Sequence, residues 1–143
     1  MLGELSREQI EDMLLTNVIG RIGCHAFGRT YVVPVTYVYE AGIIYGHGRL
    51  GMKVHMMREN PRVCFEVDMM DGFADWQSVI AWGIFSEMHG DAAVQALDLL
   101  ARGVEGRLEG PPGETVHPSR TMEASIVYRI ELQEKTGRYE RRV

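Results

Sequence analysis

Residues 30–47 of this chain, TYVVPVTYVYEAGIIYGH, decide which kind of sheet it can build. The β-branched and aromatic residues on both sides of Glu40-Ala41-Gly42 are typical of strands, and those three residues are typical of a turn. A connection this short joins only antiparallel neighbours, because parallel strands need a crossover of about a dozen residues or more. The run VIGRIGCHA at 18–26 leads into the same stretch through a second short turn, so the pattern predicts an antiparallel meander.

Three segments have helical patterns. The first begins with the capping-box pair Ser6 and Gln9, and the last is followed by Gly103, a residue type common just after a helix. These segments are 6–16, MKVHMMREN at 52–60, and 91–102.

The remaining patterns indicate strands separated by short turns. Alternating residues predict strands in RVCFEVD, in WQSVIAWGIFSEM with a bend at Gly83, and in ASIVYRIELQ, whereas GRLEGPPGETVHPS reads as a loop. Several strands joined by short turns, with only small helices between them, are typical of a closed or half-closed β-barrel. We therefore expect a mainly β protein.

Composition and charge narrow the class of protein. At 143 residues the chain has the size of one domain, so a single domain over 1–143 is expected. A net charge of -5 argues against nucleic-acid binding, and no apolar run is long enough for a membrane helix. The start MLGELSREQIEDML does not have the pattern of a signal peptide, which predicts a cytoplasmic protein. Cys24 and Cys64 are too few for a disulfide framework, and no histidine pair has metal-ligand spacing.

Residues 46–51, GHGRLG, match the glycine spacing by which many proteins hold a dinucleotide pyrophosphate. That fingerprint belongs to a parallel sheet with a full crossover helix, whereas antiparallel turns precede it here, so a Rossmann domain is not expected. Arg49, Lys53 and the start of the next helix could still hold one phosphate group. The alternative is a tight turn with both cations in solvent.

Taken in order, several segments resemble the flavin-binding split-barrel proteins of the pyridoxamine 5'-phosphate oxidase-like superfamily. They are TYVVPVTYVY, IIYGH, a loop ending in Lys53, MMRENPRVCFEVD and WQSVIAWGIF, with a weaker likeness in IVYRIELQEKTGR. The resemblance covers about residues 18–88 and is closest to the nitroimidazole-resistance subgroup, chiefly through RENPRVCFEVD. It implies a six-stranded antiparallel split β-barrel that forms a homodimer and binds FMN at the dimer interface.

The resemblance also implies which residues contact the cofactor. Pro34, Val35 and Thr36 would lie along the flavin ring and ribityl chain, and Arg49 with Lys53 would hold the phosphate. His47 would lie beside the cofactor, and Ser78 would hydrogen-bond the flavin.

Two classes of function follow from the resemblance. One is an FMN-dependent oxidoreductase acting on a small organic substrate, in which the flavin supplies the redox chemistry and the chain needs no strong acid or base. The other is a carrier, storage or sensor protein that binds a flavin without turnover, and the same cleft could hold haem or a deazaflavin. His47 is followed by Gly48 and Arg49, where the nitroimidazole-resistance proteins have small uncharged residues, so the substrate stays open.

Overall fold

The computed structural model describes residues 1–105 and 126–142. They form one antiparallel sheet with three helices packed against it. The strands are β1 (Leu2–Glu4), β2 (Ile19–Ala26), β3 (Arg29–Thr36), β4 (Val38–Glu40), β5 (Ile43–Gly48), β6 (Arg62–Gly72), β7 (Asp75–Glu87) and β8 (Ile126–Glu140), and the helices are α1 (Arg7–Thr16), α2 (Met52–Glu59) and α3 (Gly90–Glu105).

The sheet is curled because its two edges are neighbours in the chain. The strand order is β3-β2-β6-β7-β8-β5-β4, yet β3 and β4 are separated only by Tyr37. The side chain of Tyr37 is fully buried, and its hydroxyl donates to the carbonyl of Leu14 at 2.8 Å, while its backbone N–H donates to Val18 O at 2.9 Å. One residue therefore crosses the gap between the edges, which gives an open, split barrel and confirms the predicted fold class.

The structure has eight strands where six were expected. The predicted strand 30–39 divides at Tyr37 into β3, which pairs with β2, and β4, which pairs with β5. The short strand β1, which pairs with β8, is the other addition. The expected meander is thus two hairpins at opposite edges of the sheet, because the buried Tyr37 turns the chain from one edge to the other.

Alternation along the strands separates a buried face from an open one. In β6 the residues Val63, Phe65 and Val67 face the core, as the pattern of RVCFEVD predicts. At the predicted bend, the register between β7 and β8 shifts between Trp82 and Gly83, and the extra residue is Gln133 of β8. Helices α1 and α2 pack buried side chains against the same core.

The expected end of α3 at Gly103 is wrong, because the helix continues to Glu105. A Cβ atom at residue 103 would lie only 2.4 Å from Val38 Cγ2. Gly103 therefore serves close packing of α3 on β4, and the helix does not stop there. The predicted loop at 106–119 lies outside the described residues. No helix in the described ranges is both long and apolar enough to cross a lipid bilayer.

Candidate functional site

The gap between the two sheet edges brings β3 and β5 together. In the β4–β5 hairpin Val38 lies opposite Tyr45. Just before Val38, at the gap, Cα atoms of β3 and β5 come within 8 Å of each other. Six of the seven predicted cofactor contacts belong to this gap or to the loop and helix that follow β5.

Pro34, Val35 and Thr36 form the last three residues of β3, an edge strand. An edge position suits Pro34, which has no N–H to donate to a neighbouring strand. Val35 is buried in the core, Thr36 is half-buried and Pro34 is exposed. The segment thus leaves one strand edge open at the gap.

The first turn of α2 is left open at its positive end. Its N-cap is Gly51, which makes no side-chain capping hydrogen bond, and the turn contains no acidic residue. The first intrahelical bond runs from the N–H of His55 to Gly51 O at 3.1 Å. Backbone N–H groups before it have no intrahelical acceptor, and the helix dipole adds partial positive charge there. Such a terminus favours an anion.

Two formal positive charges lie beside this terminus. Lys53 belongs to the first turn of α2, and Arg49 is exposed in the preceding loop. Within residues 1–105 and 126–142, neither side chain forms a hydrogen bond or an ion pair. The Nζ atom of Lys53 lies back against Gly48, 2.8 Å from where a Cβ atom would be at that residue. The two cations are therefore available to a ligand.

Sequence reasoning missed a third cation at this place. The Nη1 atom of Arg29 lies 4.0 Å from the Sδ atom of Met52, the first residue of α2. Arg29 starts β3 and is far from α2 in the chain, so no local pattern signals this proximity.

His47 presents an unsatisfied polar atom at the same gap. Its Nδ1 atom is buried and has no hydrogen-bond partner among the described residues. Burial, together with the nearby charge of Lys53, lowers the pKa of His47 below its usual value. The imidazole is therefore neutral at pH 7 and has one ring nitrogen available for a hydrogen bond.

Ser78 does not join the other predicted contacts within one chain. It lies on β7, opposite Asp68 of β6 and Arg138 of β8. Three strand spacings separate β7 from β3 in the sheet order, which is about 14 Å measured along the curled sheet at about 4.8 Å per spacing. Its side chain faces the open side of the sheet, on the same face as Ile80 and Trp82.

That open face carries the ion pairs of Arg21 with Glu66 and Asp68, and apolar side chains beside them. Trp82 is 41% exposed and Ile80 38% exposed, and Val32 of β3 is 64% exposed. They flank or line a shallow groove of about 540 Å³ over β2, β3, β6 and β7, with Gly23 and Cys64 at its centre. An apolar face without a covering layer is typical of a protein–protein contact.

Comparison with known proteins agrees with this architecture. A family model described as pyridoxamine 5'-phosphate oxidase matches residues 6–139. An uncharacterized protein of Rhizobium meliloti (strain 1021), RA0666, is 27% identical in an alignment of 143 positions, gaps included, that covers 94% of this chain and 92% of that protein.

Two solved structures have a fold similar to that of this chain. The structure of an FAD-binding protein of Mesorhizobium loti superposes with a TM-score of 0.76 at 26% identity, covering 97% of this chain and 98% of the other. That of a proposed 5-nitroimidazole antibiotic resistance protein of Bacteroides thetaiotaomicron has a TM-score of 0.75 at 18% identity, covering 97% and 87%, a likeness of fold alone. With the family model matched over most of its length, this chain belongs to the pyridoxamine 5'-phosphate oxidase family.

Proposed function

We propose that the protein is a cytoplasmic, homodimeric FMN-binding oxidoreductase that acts on a small organic substrate. The observation that carries this proposal is the open first turn of α2, with Lys53 and Arg49, beside the Nδ1 atom of His47, which has no hydrogen-bond partner in the described parts of the chain. It combines an anion site with a neutral hydrogen-bonding group, and FMN has both an anionic phosphate and a ring edge rich in polar atoms.

The charge at the site suits the phosphate of a flavin nucleotide. Arg49 and Lys53 match the charge of one phosphate dianion, and α2 is only eight residues long. The Mesorhizobium loti relative is described as FAD-binding. The pyrophosphate of FAD carries a similar charge, so the preference for FMN rests on size: an adenosine would need further polar groups.

The remaining contacts follow from the gap between β3 and β5. Residues 34–36 would lie along the ring and the ribityl chain, with Val35 closing the apolar side. His47 would give or accept one hydrogen bond at Nδ1, which removes the penalty of leaving that atom buried and unpaired. Hydride and electron transfer are the chemistry that the flavin supplies when bound.

A homodimer would bring the seventh contact to the site. Ser78 faces the open side of the sheet together with Ile80 and Trp82. If two copies pack through this face, Ser78 of one copy can approach the β3–β5 gap of the other. A cofactor cleft shared between subunits would explain why, within one chain, Ser78 lies apart from the other six predicted contacts.

Cofactor analysis tests the proposal directly. The purified protein should show flavin absorption bands, release FMN on denaturation, and bind added FMN more tightly than FAD or riboflavin. A colourless protein whose melting temperature is unchanged by added FMN would contradict flavin binding. Haem or a deazaflavin in its place would be recognised by its own absorption spectrum.

Anaerobic reduction separates the enzyme from a carrier. With FMN bound, a nicotinamide donor should bleach the flavin, and a small organic acceptor or oxygen should restore its colour. A flavin that none of the donors reduces would favour the alternative of a carrier or sensor protein.

Sedimentation analysis tests the dimer. Trp82→Glu should convert a dimer into monomers and weaken FMN binding, because the change places a charge on the apolar face. Val94→Glu is the matched control, since Val94 is also exposed but lies on α3. A monomeric wild-type protein with full FMN affinity would exclude a shared cleft.

A further inference from the structure

Backbone conformation does not explain why the 46–51 segment contains glycines. The left-handed φ values that favour glycine occur at Gly28, Gly42 and Gly90. Gly46 and Gly48 are ordinary strand residues of β5, paired with residues of β8. Any residue type could adopt their backbone conformation, so their lack of a side chain must serve a neighbour.

The neighbour differs between the two strand glycines. A Cβ atom at residue 46 would lie 2.5 Å from the ring of Tyr128, a fully buried core residue. A Cβ atom at residue 48 would lie 2.8 Å from Lys53 Nζ and 3.3 Å from Lys53 Cε. The space at Gly46 is therefore filled by the core, and the space at Gly48 by the far end of one flexible cation.

We propose that Gly48 is a positioning residue for Lys53, whose ammonium folds back over the end of β5 into the space that a side chain at residue 48 would occupy. The inference rests on the proposed function, in which that ammonium holds the flavin phosphate. It follows that discrimination between FMN and riboflavin depends on residue 48, which has no side chain to contact either ligand.

The folded-back position of Lys53 can be observed without any ligand. Burial is the larger cause of the lowered pKa of His47, and the positive charge of the Lys53 ammonium is the second. If the ammonium is displaced, that contribution falls and the pKa of His47 rises. A titration of His47 by NMR therefore reports where Lys53 lies in the flavin-free protein.

The main variant is Gly48→Ala, with Gly72→Ala as its matched control. Gly72 ends β6, has ordinary φ, and a Cβ atom there would meet nothing within 4 Å. We expect Gly48→Ala to raise the dissociation constant for FMN about tenfold, as for one weakened charge-assisted contact, and to leave that for riboflavin nearly unchanged. The pKa of His47 should rise in Gly48→Ala and stay constant in Gly72→Ala, with the resonance assigned by His47→Gln.

A double-mutant cycle isolates the coupling between the two residues. In a Lys53→Ala background, Gly48→Ala should change neither the FMN-to-riboflavin ratio nor the pKa of His47 any further. If Gly48→Ala acts fully in that background, or acts equally on FMN and riboflavin, the positioning role is refuted.

The remaining outcomes are also decisive. If Gly48→Ala fails to fold while Gly48→Ala/Lys53→Ala folds, the steric conflict with Lys53 is supported, and failure of both overturns the inference. If wild-type protein binds no FMN, the proposed function fails, and the titration of His47 alone decides whether Gly48 positions Lys53. An unchanged pKa in Gly48→Ala would then refute the positioning role as well.

Discussion

The N-termini of α1 and α2 are built in opposite ways. At α1, the hydroxyl of Ser6 accepts from the N–H of Gln9 at 3.2 Å, and Oε1 of Gln9 accepts from the N–H of Ser6 at 2.8 Å. Glu8 adds a negative charge in the same turn. At α2, Gly51 provides no side-chain cap, no acidic residue is present in the first turn, and the charged residue there is Lys53.

The difference separates a helix end that stabilises the fold from one that is open to a ligand. A capping side chain typically contributes about 1 kcal/mol to stability, because it satisfies N–H groups that the helix leaves unpaired. The first turn of α2 lacks that contribution and has positively charged side chains beside it instead. An anion bound there would satisfy the same N–H groups. The stabilisation that is missing in the free protein would then contribute to the affinity for the ligand.

The charged side chains on the two helices follow the same division. On α1, Glu11 accepts hydrogen bonds from Tyr39, at 2.7 Å, and from Lys135, which ties the helix to β4 and β8. Lys53 of α2 has no such bond to any part of the chain that the structure describes. α2 has its ion pair at the other end, between Arg58 of its last turn and Glu87 of β7, so the contrast concerns the first turn, where Lys53 has no such bond among the described residues.

Removing the cations beside α2 should have the largest effect. Arg49→Ala/Lys53→Ala should raise the dissociation constant for FMN by a factor on the order of 100, since each charge-assisted contact contributes about 1.5 kcal/mol or more. The affinity for riboflavin should change little, as measured by fluorescence titration of both ligands. Arg7→Ala, which removes a cation from the first turn of α1, is the control. Equal losses for FMN and riboflavin would refute the phosphate assignment.

Breaking the ion pair on α1 should affect stability and leave the site intact. Glu11→Gln should lower the free energy of unfolding at pH 7 by about 1–2 kcal/mol, because it weakens charge-assisted hydrogen bonds. Chemical denaturation should show this loss, together with unchanged FMN affinity. Asp12→Asn, an exposed neighbour on α1, should be nearly neutral.

The effect of Glu11 should depend on pH. Burial raises the pKa of Glu11, but the hydrogen bonds and charge of Lys135 and the hydrogen bond of Tyr39 outweigh it, so the pKa lies below the ordinary 4.5. A carboxylate with a lowered pKa stabilises the fold above pH 4.5 and loses that contribution as the pH falls through its folded pKa. The difference between wild type and Glu11→Gln should therefore shrink in acid; a difference that grows there would contradict the ion pair.

Giving α2 the kind of cap that α1 has should reverse the balance between stability and binding. Gly51→Asp should weaken FMN about tenfold, because the carboxylate competes with the phosphate for the first turn. It should also raise the free energy of unfolding of the flavin-free protein by a few tenths of a kcal/mol. Gly51→Ser, a cap without charge, should show a smaller loss of affinity in the same titration. Unchanged FMN affinity in Gly51→Asp would mean that the phosphate lies elsewhere.

Removing the cap of α1 should have the smallest effect. Ser6→Ala should destabilise the protein by about 1 kcal/mol, because Gln9 loses its capping partner. Thermal unfolding with and without FMN should show the same shift for both forms. A specific loss of FMN affinity in Ser6→Ala would remove the contrast between the two helix ends.

Local patterns predicted much of this fold. The capping box at Ser6 and the helix predicted at 52–60, observed as Met52–Glu59, were correct because each depends on residues adjacent in the chain. The bend was expected on the strand that contains Gly83, whereas the extra residue of the register shift is Gln133 of β8. The predicted end of α3 was wrong because Gly103 allows close packing against Val38, which lies on another element. No window around residue 103 contains that contact.

The candidate site was predictable in its parts but not in its assembly. His47, Arg49 and Lys53 belong to one short segment, so their proximity follows from the chain itself. The approach of Arg29 to the start of α2 and the separation of Ser78 from the gap depend on the order of strands in the sheet. That order pairs strands that are distant in the chain, which alternation along a strand does not reveal.

The sequence by itself determined the antiparallel sheet, the helices and the presence of cations beside a glycine segment, since turn length, alternation and capping are short-range properties. Only the tertiary structure decided why those glycines are there. Gly46 makes room for Tyr128, Gly48 makes room for Lys53, and Gly51 begins α2 without a cap. Three positions with one residue type have three different reasons, because the space around a backbone atom is defined by whatever the fold packs against it.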